Sequence, residues 1–122
     1  QDSPSVLLRD MAGTRLPIAV AHGEGRAEIS DQDLNRNIEQ RLLALRYVDS
    51  LGNPAEQYPA NPNGSAQGVT GFTYRDGRAT IMMPHPERVF RVLQNSWIPD
   101  DWRRFENGPW YRLFANARKW VG

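Results

Sequence analysis

Asp76-Gly77 lies between two runs of strand-forming residues, Gly68 to Tyr74 and Arg78 to Met83, and this is the strongest local constraint on how the chain can fold. The pair suits the backbone of a tight turn, so the spacing predicts a hairpin of two adjacent antiparallel strands. The second strand runs directly into Pro84-His85-Pro86-Glu87-Arg88. Each proline fixes its own φ and pushes the residue before it toward extended conformations, which holds Met83 and His85 extended. Residues two apart in an extended segment project to the same side, so His85 and Glu87 come together with the carboxylate near one imidazole nitrogen. A carboxylate accepting the Nδ1 proton fixes the tautomer and stabilises the imidazolium, leaving Nε2 to take a proton from a nucleophile. The same spacing also suits a solvent-facing ion pair on a stiffened turn, and spacing alone does not choose between the two.

The thiol that such a pair would most naturally activate is not in the chain, which has no cysteine among its 122 residues. A disulfide framework is excluded as well. The length and a hydrophobic content of 39% suit one modest core, hence one domain or part of one. With a net charge of +1 and basic residues spread along the chain, nothing marks a nucleic-acid or membrane surface. No apolar run approaches the ~20 residues that span a bilayer, so a soluble, cytoplasmic protein is expected. The start at Gln1 and rapid entry into folded sequence read as a piece cut from a longer polypeptide.

Leu16 to Ala21 is a continuous apolar run, consistent with a strand buried on both faces, and it delivers His22-Gly23-Glu24-Gly25 to its end. That block is too short for a dinucleotide fingerprint, and its glycines fit either a ligand-approaching backbone or an ordinary turn. Ser30, Asp31 and Asp33 mark a helix start, with Leu34, Ile38, Leu42 and Leu45 at helical spacing; Leu45 to Val48 also suits a strand. Gly52-Asn53-Pro54 and Asn61-Pro62-Asn63-Gly64 predict turns, the second either purely structural or presenting amide donors to a substrate. Pro109 opens a last helix whose apolar face is Trp110, Leu113, Phe114 and Ala117. Trp97, Trp102 and Trp110 fit local core or a partner surface. Two histidines and no cysteine leave only carboxylates to complete a metal site, so none is expected; without a Gly-x-Ser-x-Gly elbow, serine hydrolysis is discounted.

Ile81 to Val89, reading Ile-Met-Met-Pro-His-Pro-Glu-Arg-Val, resembles the His/Glu end of class I glutamine amidotransferases, whose triad is Cys-His-Glu. Together with Leu16 to Arg26 and Tyr58 to Ser65, in the same order, it resembles the phosphoribosylformylglycinamidine synthase family. The tail, with Gln94 to Trp97, Gly108-Pro109-Trp110 and Phe114 to Lys119, resembles the large single-chain form. The resemblance implies an α/β, flavodoxin-like fold with a mostly parallel sheet and an antiparallel hairpin. Residues 1–122 would be the C-terminal portion of one glutamine amidotransferase domain ending at Gly122, with the cysteine-bearing portion and the synthetase domains upstream. It assigns the catalytic histidine and glutamate to His85 and Glu87, and it places His22 in the lining of the glutamine pocket, with Asn63 and Gly64 as further candidates. Glutamine is the implied substrate. Ammonia would pass to ATP-dependent amidination of formylglycinamide ribonucleotide in purine biosynthesis, with ATP and magnesium bound by the synthetase part and no cofactor by this segment. Alone, without the thiol, the segment is expected to be inactive. Two alternatives stand beside this reading: a non-catalytic docking module built on Trp97, Trp102 and the last helix, and the glutaminase domain of another class I amidotransferase.

Overall fold

The computed structural model describes residues 1–21 and 25–122. Helix α1 spans Asp31–Glu39. Its start follows from Ser30, whose Oγ accepts the Asp33 N–H at 3.1 Å, while Asp31 and Asp33 place negative charge at the positive end of the helix dipole. Leu34 anchors it, 1% exposed. The helix stops before Leu42 and Leu45, which the periodicity had included, because Arg41 turns to a φ of +58°. The chain then extends into β1, Leu43–Arg46, so Leu45 belongs to a strand.

Strands β2, Val69–Thr73, and β3, Thr80–Met82, form the predicted hairpin, with Gly71 opposite Met82 and Thr73 opposite Thr80. Gly77 carries the turn at φ +73°, and its N–H reaches the Tyr74 carbonyl at 2.8 Å. β1 lies antiparallel on the other edge of β2, opposite Phe72, Gly71 and Val69, with irregular register. The three-stranded order β1-β2-β3 is therefore antiparallel throughout, and together with the helices it makes a small α/β fold.

The parallel strands expected beside the hairpin are not part of this described sheet, and Leu16 to Ala21 is not a strand in it. Leu16, Ile18 and Ala19 rest on a core of Leu8, Met11, Ala44, Val89, Trp110 and Leu113, while Pro17 is exposed and has no N–H to give to a ladder. The segment's Pro17 and Ala19 carbonyls are met by separate donors, the Trp110 indole and the His85 backbone N–H. A second core joins Leu34, Leu43 and Val69 beneath α1.

Past β3 the chain makes short 3-10 turns at Pro86–Arg88, Val92–Gln94 and Asp100–Arg104, and ends in α2, Tyr111–Val121, with Pro109 just ahead of it. The predicted apolar face is only partly buried: Trp110 and Leu113 are in the core, but Phe114 is 38% exposed and sits edge-on to Phe90 at 5.4 Å. Buried Asn116 takes the next inward position and donates to the Leu7 and Arg9 carbonyls at 2.9 and 2.8 Å, binding α2 to the first loop of the chain. Of Trp97, Trp102 and Trp110, the last is core, Trp102 half-buried and Trp97 exposed. Among the described residues no helix is long and apolar enough to cross a membrane.

Candidate active site

The end of β3 delivers the site. Met83 continues the ladder with a 2.9 Å bond to the Thr70 carbonyl, buried Pro84 and Pro86 bracket His85, and the Pro86–Arg88 turn closes back on His85 through the Arg88 N–H at 3.0 Å. His85 Nδ1 and Glu87 Oε1 are 2.8 Å apart. Since an ionised carboxylate only accepts, Nδ1 carries the proton, and the acceptor of the neutral ring is Nε2. The pair is partly sheltered, with side chains 31% and 56% exposed.

Glu87 is held below the ordinary carboxylate range. Partial desolvation raises its pKa, and this is outweighed by its own backbone N–H, by the hydrogen bond and charge of His85, and by Arg88, whose Nε is 4.0 Å away. The carboxylate thus stays charged and able to orient the ring through the neutral pH range.

Met82, Pro84, His85, Pro86, Glu87, Leu113 and Phe114 line a cleft of about 300 Å³. Its far wall comes from α2. Leu113 and Phe114 were read from sequence only as part of a core face, and the 3.6-residue spacing that revealed the face carries no sign that it borders a histidine. A larger cavity of about 490 Å³ lies beside β1, and its lining shares Pro84 with the cleft but includes neither His85 nor Glu87. Arg46, Tyr47 and Thr70 are among the residues that line it.

The remaining sequence candidates fall elsewhere. His22 lies outside the described residues. Asn63 donates its side-chain amide to the Gly25 carbonyl, which ties the 58–65 loop to the end of the His22-Gly23-Glu24-Gly25 block. Gly64, at φ +68°, gives its N–H to the Asn61 side chain at 3.0 Å. Neither Asn63 nor Gly64 lines the cleft beside His85. Asn61, not singled out from the sequence as a residue, organises that loop: 2% exposed, it also donates to the Ala55 and Ser65 carbonyls at 2.9 and 2.8 Å. Among the described residues no three His, Cys, Asp or Glu side chains are grouped as metal ligands would be.

A histidine oriented by a carboxylate in an apolar-walled cleft suits general acid–base work on a bound amide or ester. The family model of the CobB/CobQ-like glutamine amidotransferase domain matches residues 1–121. The chain belongs to that family. As a glutamine amidotransferase domain it is directed at glutamine, whose side-chain amide is the group that chemistry of this kind opens. The antiparallel hairpin and the two helices are consistent with a fragment of such a domain.

Proposed function

We propose that this chain is the His/Glu portion of the glutaminase domain of a cytoplasmic phosphoribosylformylglycinamidine synthase of the large single-chain form. The observation that carries the proposal is the 2.8 Å His85–Glu87 pair at the cleft, in a chain matched along residues 1–121 by an amidotransferase family. In this reading the cysteine comes from another segment of the same polypeptide. The 490 Å³ cavity adjoining Pro84 offers room for such a segment.

His85 takes the thiol proton at Nε2 while the sulfur attacks the carbon of the glutamine side-chain amide. The imidazolium, held by Glu87, then protonates the departing nitrogen, and ammonia leaves a glutamyl thioester. Water, deprotonated by the same imidazole, attacks the thioester; glutamate leaves and the thiol recovers its proton. Ammonia passes to the synthetase domains, where ATP and magnesium serve the amidination of formylglycinamide ribonucleotide; no residue of this chain is assigned to either. His22 is proposed to line the glutamine pocket, and Asn63 and Gly64 to support that block from the neighbouring loop.

In the full-length enzyme His85→Ala is expected to abolish glutamine-dependent turnover and to leave turnover with ammonium salts intact. Loss of both would make His85 structural. Unchanged glutamine-dependent turnover would instead favour a docking module, a reading to which Leu93 and Trp97, 96% and 72% exposed, lend an apolar surface.

A further inference from the structure

Trp110 stands at the start of α2, 7% exposed, and its indole N–H reaches the Pro17 carbonyl at 2.7 Å across 93 residues of sequence. Two residues further along that segment, the Ala19 carbonyl accepts the backbone N–H of His85 at 3.3 Å. The indole and the His85 amide thus hold two carbonyls of Leu16 to Ala21 that lie two residues apart. This segment has no strand partner in the described sheet, and Leu16, Ile18 and Ala19 are only partly buried against the core. Apolar packing sets distance from the core but leaves sliding along it weakly opposed, whereas a directional hydrogen bond fixes register. The Pro17 bond is short and sits on a helix whose inner face is fastened by Leu113 and Asn116; the Ala19–His85 bond is longer and lies at the site itself.

We propose that Trp110 is a positioning residue of the glutaminase site, its indole N–H registering the Leu16 to Ala21 segment so that the Ala19 carbonyl stays on the His85 amide. The inference rests on the reading of His85 as the general acid–base. Trp110 touches none of the reacting groups. It acts by holding the backbone of His85, and hence the ring that Glu87 orients, against the segment that continues into His22. Without the indole donor the Ala19–His85 bond becomes the sole described hydrogen bond fixing this segment, and it opens more often. A general base displaced by a fraction of an ångström loses rate without any loss of its partner carboxylate.

The test is Trp110→Phe in the full-length enzyme, with benzothienylalanine at position 110 as a second variant that keeps the bicyclic ring and removes only the N–H. Both are expected to speed hydrogen exchange at the His85 amide about tenfold, leave exchange along Val69–Thr73 unchanged, and lower kcat with glutamine about tenfold. Ammonium-dependent turnover should not move. Unchanged His85 exchange with unchanged glutamine kcat in the benzothienylalanine protein overturns the proposal, and so does faster exchange spread over the whole domain, which would make the tryptophan a core residue and nothing more. If His85 exchange rises as expected while His85→Ala leaves glutamine-dependent turnover intact, the positioning of His85 stands and the catalytic reading fails.

Discussion

Replacing Asn61 tests whether a single buried amide organises the loop between β1 and β2. Its side chain makes three hydrogen bonds, donating to the Ala55 and Ser65 carbonyls and accepting from the Gly64 N–H, and it is 2% exposed. Asn61→Ala removes all three. At a net contribution of about 1 kcal/mol each, the loss is about 3 kcal/mol. Gly64 is exposed and water can replace its acceptor, but Ala55 and Ser65 are buried and their carbonyls lose a donor they cannot recover from solvent. A domain of this size should therefore melt about 10 °C lower. Asn61→Asp separates the hydrogen-bonding account from a simple volume effect. It keeps the shape and the acceptor for Gly64 but turns an oxygen toward two carbonyls and buries a charge, so it should be worse than alanine. Thermal unfolding of the domain, with denaturant midpoints as a check, reads both. A loss below about 1 kcal/mol for alanine, or an aspartate variant as stable as the parent, would refute the reasoning.

Glu87→Gln should reduce glutamine-dependent kcat less than His85→Ala, since an amide oxygen still accepts from Nδ1 but stabilises the imidazolium less; steady-state kinetics against glutamine and ammonium decide it. The folded-state pKa of Glu87 is depressed, so the stability its pairing contributes is present above the unfolded value of about 4.3 and is lost as pH falls through the lower folded value, which a stability titration from pH 6 to 2 should show and Glu87→Gln should remove. Gly77→Ala should destabilise the hairpin by more than about 1 kcal/mol in denaturant unfolding, because the new Cβ would lie 2.0 Å from the Pro4 carbonyl oxygen at a φ of +73°.

The parts of the fold legible in the sequence are those encoded by neighbours along the chain. Asp76-Gly77 marked the hairpin, Ser30 the start of α1, and the proline bracket placed His85 beside Glu87, each through contacts spanning two to eleven residues. Leu16 to Ala21 was misread because an apolar run states that burial is needed and says nothing of what covers it or from how many sides. The Trp110–Pro17 and Asn116–Leu7 bonds were invisible for a related reason: they join residues about a hundred positions apart, and no local pattern announces such a partner. Trp97, which fitted either local core or a partner surface, sits on a short exposed loop and is 72% accessible. The cleft escaped notice because its walls come from β3 and α2, elements that only the completed fold brings together.

Asn116, Trp110 and Arg112, the last paired with Asp10 at 2.9 Å, are among the final residues of the chain, and all three hold residues from its first stretch. Synthesis proceeds from the other end. Residues 7 to 17 leave the ribosome long before the helix that fastens them exists, and until then they have only their contacts with earlier-made neighbours such as Ala44 and Val89. The order of manufacture thus runs against the order of assembly, and the segment that borders His85 is locked in place only when translation of this region is complete.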